Sequence, residues 1–276
     1  MLEIENVSAG YNGRDVIRNI SARINENETL CIMGANGCGK TTLIKAIAGI
    51  IPSKGKISID GRLIRTMKRG ELAEKIAVMS QFSSVYFSYT VFETVLMGRY
   101  VRMKASLLKR PSRHDREYAE RCIEAVGLKD ISNRPIETLS GGQLQRVHLA
   151  RTLAQQPSII LLDEPTNHLD LKYQVDIIDY LREWSRKEGH SVIGVLHDIN
   201  LAMRLADKVL LLKEGKTLGY GKVDQVINKK NLEKAYEMDV VNYMVSSYKR
   251  WERMELRHRH GTGTPGTLKL SCGNGQ

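Results

Sequence analysis

No apolar run in this 276-residue sequence approaches the ~18 residues that a membrane span needs, so any membrane role is expected to be peripheral. The opening Met1-Leu2-Glu3-Ile4-Glu5 has neither a basic n-region nor an apolar h-region, and no secretory signal is expected. Cysteine is sparse. Cys31, Cys38, Cys122 and Cys272 form no C-x-x-C pair and no metal-ligand spacing, which leaves reduced cytosolic thiols as the expectation. No internal repeat is present. Acidic residues are also in deficit, with 31 Asp and Glu against 42 Lys and Arg, a net charge of +11. A basic chain points to nucleic acid, an anionic membrane surface or a phosphorylated ligand, or merely to a solvated surface. The excess is local: residues 61–113 carry 11 basic and 3 acidic residues, residues 242–276 carry 6 and 2, and the rest carries 25 and 26.

What is present is ordinary for a globular protein, 42% apolar and 26% charged, and excludes a disordered one. Short strands and turns are expected over residues 1–33, with a turn at Gly10-Tyr11-Asn12-Gly13. Thr29–Met33, Ile76–Met79, Ile159–Leu162 and Val192–Leu196 are continuous apolar runs, as expected of strands buried on both faces. Helical patterns lie at 41–50, 114–127, 141–155, 172–188 and 199–206, and strands alternating with helices indicate an α/β fold with a mostly parallel sheet. Hairpins are expected at Asp60-Gly61 and Glu214-Gly215. Residues 83–155 interrupt the strand series as an inserted, mostly helical subdomain. Residues 222–246 read as a short helical extension, and 261–276, with five Gly and one Pro, as a disordered tail.

Gly34-Ala35-Asn36-Gly37-Cys38-Gly39-Lys40-Thr41 has the form G-x-x-x-x-G-K-[ST], follows an apolar run and opens a helix beginning Thr42-Leu43. Glycines let backbone N–H groups converge on phosphate oxygens, and the helix N-terminus adds unpaired donors and positive partial charge. Lys40 would reach the β- and γ-phosphates, and the Thr41 hydroxyl would hold Mg²⁺. The apolar run Ile159–Leu162 ends in Asp163-Glu164. Buried acids need a compensating cation. Asp163 suits Mg²⁺, and Glu164 could polarise a water for attack on the γ-phosphate. Cys38, among phosphate donors beside a lysine and a helix N-terminus, is expected to favour its thiolate.

Leu139-Ser140-Gly141-Gly142-Gln143 precedes a helix, and Ser140 and Gln143 have capping-box spacing. Two glycines at a helix start cost stability, which favours a ligand that approaches the backbone closely. The glycine-rich loop, this segment and Asp163-Glu164, in that order, resemble the ATP-binding subunit of ABC transporters over about residues 1–245. The resemblance implies a P-loop NTPase (RecA-like) core with an antiparallel β subdomain and the helical subdomain inserted at 83–155, leaving 246–276 as a basic helical extension and tail. It implies ATP hydrolysis with Mg²⁺, in a homodimer where Ser140, Gly141, Gly142 and Gln143 serve the other subunit's nucleotide.

Matched position by position, the resemblance makes Tyr11 the aromatic that stacks on adenine, and Gln81 a loop residue contacting Mg²⁺ and the transport partner. Asp170, in Asn167-His168-Leu169-Asp170, falls at the dimer interface, and His197 contacts the γ-phosphate. Segments 89–100, 167–174 and 195–202 resemble importers of iron complexes (siderophores), haem and cobalamin. The implied partners are integral-membrane permease subunits on the cytoplasmic face, a second copy of the chain and, indirectly, an external substrate-binding protein, with no nucleic acid. An importer for another metal or nutrient and a non-transport ABC ATPase remain the alternatives. The basic block around Gln81 would lie near an anionic leaflet, with Arg99, Arg102, Lys104, Lys109 and Arg110 as candidates for that contact.

Overall fold

The structure, a computed structural model, describes residues 1–79, 88–103, 110–167, 169–187 and 189–261, with side chains as far as Glu255. Gln81, Lys104, Lys109, His168 and Cys272 lie outside the described residues, as does the expected tail from 262 onward.

The chain opens with β1 (Leu2–Tyr11) and β2 (Arg14–Ile24), continues into β3 (Thr29–Met33) and α1 (Lys40–Ile47), and returns through β4 (Ser53–Ile59) and β5 (Arg62–Leu63). Next come α2 (Arg69–Lys75) and β6 (Ile76–Met79), then three helices, α3 (Val91–Leu96), α4 (Arg113–Ala125) and α5 (Gly141–Ala154). Strand and helix alternate again through β7 (Ile159–Asp163), α6 (Leu171–Ser185), β8 (Ser191–Val195) and α7 (Ile199–Leu205). The hairpin β9 (Lys208–Lys213) and β10 (Lys216–Lys222) is followed by α8 (Val223–Val226), α9 (Lys229–Tyr236) and α10 (Val240–Gly261). The expected boundary at 245 falls inside α10, a single helix.

Two sheets result. One is antiparallel with the order β2-β1-β4-β5; the other has the order β10-β9-β3-β8-β7-β6 and is parallel except for β10 on β9. Hairpin turns at Asn12-Gly13, Asp60-Gly61 and Glu214-Gly215 share one cause. In each, both residues have positive φ, from 48° to 76°, the conformation whose twist matches that of the paired strands.

The parallel sheet is buried on both faces, which explains its uninterrupted apolar strands. Leu30, Ile32, Leu210 and Leu212 pack with Leu43, Ile44 and Ile47 of α1 and with Leu2 and Ile4 of the antiparallel sheet, so α1 lies between the two sheets. The alternate residues Cys31, Met33, Val209 and Leu211 pack on the other side with Leu149 and Leu153 of α5 and Ile178 and Leu181 of α6.

Capping boxes at Thr90, Ser112 and Ser140 start α3, α4 and α5. At the junction of these helices with the sheet, Arg99 is 3% exposed. Its Nε donates to Asp115 Oδ1 at 3.0 Å and its Nη1 to the Ala154 carbonyl at 2.9 Å, and its guanidinium lies 4.5 Å from the Tyr118 ring centre. Arg102 donates to the carbonyls of Glu74, Gln155 and Gln156. These contacts correct the expectation of a leaflet-facing role for Arg99 and Arg102, because their guanidinium groups are committed to tying the end of α5 to α4 and α2. Elsewhere in the basic block, Arg62 pairs with Glu71 and Lys75 with Asp60.

Candidate functional site

The site lies at the carboxyl ends of β3, β8 and β7, which are neighbours in the sheet although widely separated in sequence. Pairing sets Ile32, Val195 and Asp163 on one row. The loop 34–39, His197 and Glu164 emerge just beyond that row, where a parallel sheet opens a crevice for ligands.

The loop has this shape because of its glycines. Gly34 has φ 141°, and a Cβ there would come within 2.3 Å of the Leu212 carbonyl oxygen. Gly39, with φ 104°, caps α1 where a Cβ would strike Ile17 at 2.4 Å. Lys40 is buried, and its Nζ donates to the carbonyls of Gly34 and Ala35 at 2.9 and 3.0 Å, closing the loop around its own ammonium.

Across the crevice, the Thr41 hydroxyl donates to Asp163 Oδ1 at 3.1 Å. Burial pushes the Asp163 carboxyl up, and the Thr41 hydrogen bond only partly offsets this. A buried carboxylate in this state gains from a nearby cation. Among the described residues no group of three or more His, Cys, Asp and Glu side chains is placed to hold a metal. One carboxylate and one hydroxyl are hard oxygen donors that suit Mg²⁺, which keeps most of its waters and phosphate ligands rather than entering an all-protein cage.

Glu164 adopts φ 57°, left-handed for a residue with a Cβ, and its N–H donates to the Val195 carbonyl at 3.1 Å. Its Oε1 lies 2.5 Å from His197 Nε2, and its Oε2 accepts from Asn167 Nδ2 at 2.5 Å. Burial pushes this carboxyl up, but the bonds from His197 and Asn167 and the charge of Lys40 together hold it below its ordinary value. An ionised carboxylate only accepts hydrogen bonds, so the proton between the two lies on His197 Nε2. The neighbouring Asp198 is the N-cap of α7, accepting from the N–H groups of Asn200 and Leu201.

These elements enclose an open cavity of ≈ 560 Å³. Of the expected residues, Tyr11, Asn36, Gly37, Gly39, Lys40, Thr41, Thr42, Glu164 and His197 line it. Tyr11, at the end of β1, is 43% exposed and has Lys45 Nζ 5.8 Å from its ring centre, leaving an aromatic face open at the rim. Gly34 and Ala35 form the neck of the loop and do not line the cavity. Cys38 does not either, and the expectation of a thiolate there is corrected. Burial pushes its thiol up, outweighing the lowering effect of Lys40.

Ser140, Gly141, Gly142, Gln143 and Asp170 are not among the residues lining this cavity. Ser140 and Gly141 are exposed at the start of α5, with Ser140 Oγ accepting from Gln143 N at 3.3 Å. Asp170 is exposed at the start of α6 and makes no side-chain capping bond.

Three contributors escape sequence reasoning. Asn167 returns to Glu164 on a turn, its N–H 3.4 Å from the Glu164 carbonyl, and the signal was a turn-forming Asn three residues past an acid. Val16 reaches the cavity from β2. Gln145 Nε2, on α5, donates to the Pro165 carbonyl at 3.1 Å; nothing in a helical pattern marks such a bond in advance.

Comparison with known proteins places these features in context. Residues 17–167 match the family described as ABC transporter. The uncharacterized ABC transporter ATP-binding protein YvrA of Bacillus subtilis is 37% identical over 87% of this chain, which spans only 54% of that relative's length. The ferric enterobactin transport ATP-binding protein FepC of Escherichia coli is 34% identical over 84% of this chain and 85% of its own. The hemin import ATP-binding protein HmuV of Rhodopseudomonas palustris is 35% identical over 87% and 88%. Among solved structures, the ATP-binding cassette MJ0796, dimeric in a post-hydrolysis state with ADP and Pi, superposes with a TM-score of 0.72. It shares 30% identity over 81% of this chain and 99% of its own.

Proposed function

Since this chain belongs to the ABC transporter family and carries its ATPase cassette, we propose that it powers import of an iron complex (a siderophore), haem or cobalamin. It would do so as a homodimer on membrane permease subunits. The observation that carries the ATPase site is the convergence of three strand ends. Lys40, Thr41 and the Glu164–His197 pair share one cavity, with Asp163 behind it bonded to the Thr41 hydroxyl, while the signature residues Ser140–Gln143 are not among its lining.

In this reading a nucleotide lies along the loop 34–41 with its adenine against Tyr11 and its phosphates on the N–H groups of the loop and of α1. Lys40 exchanges its bonds to Gly34 and Ala35 for β- and γ-phosphate oxygens, charge-assisted bonds that the loop's own carbonyls match poorly. Thr41, Asp163 and Gln81 would hold Mg²⁺, which neutralises charge developing on the phosphates. Glu164 orients a water for in-line attack. His197 donates from Nε2, to Glu164 when the site is open and to the γ-phosphate when it is filled. Ser140, Gly141, Gly142 and Gln143 of the second copy close over that phosphate, with Asp170 at the seam, giving a two-fold dimer with two composite sites. Dimeric MJ0796 supports this arrangement.

Closure and reopening of the dimer would move the region 81–100 against the permease. No helix among the described residues is long and apolar enough to cross a membrane. In the transport reading the chain would sit peripherally on the cytoplasmic face, with an external binding protein acting through the permease and no nucleic acid involved. The cargo reading rests on the names of FepC and HmuV.

The test is uptake of iron-loaded siderophore, haem and cobalamin by cells that make the wild-type chain or Glu164→Gln, with the permease identified by co-purification. The variant should bind ATP, accumulate as a long-lived dimer, and lose turnover and uptake of one cargo by about 10²-fold or more. Wild-type hydrolysis in the variant refutes the site; undiminished uptake of all three cargoes refutes the transport reading.

A further inference from the structure

Helix α5 has one task in the reading above, presenting Ser140–Gln143 to the partner's nucleotide, but its side chains also reach back to this chain's own Glu164. Gln145 Nε2 donates to the Pro165 carbonyl at 3.1 Å and lies 3.5 Å from that of Glu164. The bonds are half-buried, so water competes poorly for the carbonyls.

Glu164 needs such support. A left-handed backbone at a residue with a Cβ persists only where its surroundings over-determine it. Its N–H is held by the Val195 carbonyl and its carboxylate by His197 and Asn167. Further along the loop, Gln174 Nε2 donates to the carbonyls of Thr166 and Leu169 at 3.3 and 2.9 Å. Of these bonds, only the one from Gln145 comes from the helices α3–α5; the others come from the sheet, α6 and the loops at the strand ends. Without it, the Pro165 carbonyl that follows Glu164 loses its anchor to these helices, and a small shift of the backbone there swings the carboxylate away from the line of attack.

We propose that Gln145 is a positioning residue that sets Glu164 of its own chain for hydrolysis, while Ser140 on the same helix serves the nucleotide of the other chain. Ser140 is the N-cap and Gln145 the fifth residue of α5, about 7.5 Å apart along a rigid rod, so each α5 touches both composite sites. The proposal rests on the reading of Glu164 and of the dimer given above.

Mixed dimers of differently tagged copies test it, with Glu164→Gln silencing one site. The reference pairs a wild-type chain with an E164Q chain. In the first test dimer, Gln145→Ala sits on the chain whose Glu164 is live; in the second, it sits on the silenced chain, beside the Ser140 that caps the live site. The expected result is a kcat at least tenfold below the reference in the first dimer, with KM for ATP within twofold, and a second dimer within twofold of the reference. Equal impairment of both dimers, or of neither, overturns the proposal, as does a loss confined to the second. Gln145→Glu repeats the comparison with an isosteric side chain that cannot donate, should the alanine variant melt early, and should lower kcat at least as far. An E164Q homodimer that still hydrolyses ATP removes the role of Glu164 itself, and that failure is visible before any Gln145 variant is made.

Discussion

His197 Nε2 lies 2.5 Å from Glu164 Oε1, a contact between the ends of adjacent parallel strands made by residues 33 apart in the chain. It shows how the site is held before a nucleotide arrives. The carboxylate and the imidazole occupy one another, and Asn167 takes the remaining carboxylate oxygen. Filling the site must trade these bonds for bonds to phosphate and water, so each can be probed separately.

The His197–Glu164 pair predicts a pH-dependent contribution to stability. Burial raises the Glu164 carboxyl, but its hydrogen bonds and Lys40 bring it below the ordinary value. A carboxylate depressed by folding contributes stability that is fully present above its unfolded pKa, about 4.3, and lost as pH falls through its folded value. His197→Ala should therefore destabilise the nucleotide-free protein near neutrality, by less than about 1 kcal/mol because the pair is partly solvent-exposed. The difference from wild type should vanish below the folded value. Urea unfolding across that range is the measurement, and a difference that persists undiminished below the folded value contradicts the assignment.

Lys40→Ala should weaken ATP binding by about 10- to 100-fold, the value of one charge-assisted hydrogen bond. Because the Lys40 ammonium also ties the carbonyls of Gly34 and Ala35, nucleotide-free melting is the control for loop collapse. Equilibrium titration with a fluorescent ATP analogue reads the affinity, and unchanged affinity contradicts the phosphate site.

Cys38 should react slowly with thiol reagents at neutral pH, because its burial disfavours the thiolate despite the proximity of Lys40. ATP should slow the reaction further, and a fully alkylated Cys38 should block ATP binding by bulk. Peptide mapping after timed alkylation, with and without ATP, separates Cys38 from the buried Cys31 and Cys122. Labelling as fast as a free thiol, or unaffected by ATP, counts against this account.

Arg99→Ala leaves the Asp115 carboxylate without its buried partner, and removal of one member of such a pair costs about 3–5 kcal/mol. In a chain of this size each kcal/mol shifts Tm by about 2–4 °C, so a fall of roughly 6–20 °C is expected. Arg110→Ala, at an exposed residue of the same basic block, should change Tm little. Differential scanning calorimetry of the two variants distinguishes a structural arginine from a solvated one.

Much of the architecture was legible in the chain because it depends on local chemistry. Asp60-Gly61 and Glu214-Gly215 turn where both residues accept positive φ, and the Ser140–Gln143 capping box forms at the expected spacing. The runs Ile76–Met79 and Ile159–Leu162 pair in parallel because continuous apolar strands must be covered on both faces. The support of the Glu164 segment by Gln145 was not legible, because an amide reaching a carbonyl 20 residues away leaves no period in the sequence. Arg99 was misread for the same reason: charge counting places it with the leaflet-facing residues of the basic block, and only packing shows that Asp115, Ala154 and Tyr118 surround it.

The sequence by itself determined the glycine-rich loop, the acids at a strand end and the capped helix that starts at Gly141, each a short-range pattern whose chemistry lies in its residue types. Tertiary structure alone decided which of these meet. Strand order places β8 between β3 and β7, which brings His197 and Glu164 to Lys40, and the same fold leaves Ser140–Gln143 out of the cavity lining. Strand order follows from the mutual burial of two apolar sheet faces, a long-range condition that no segment of the chain states on its own.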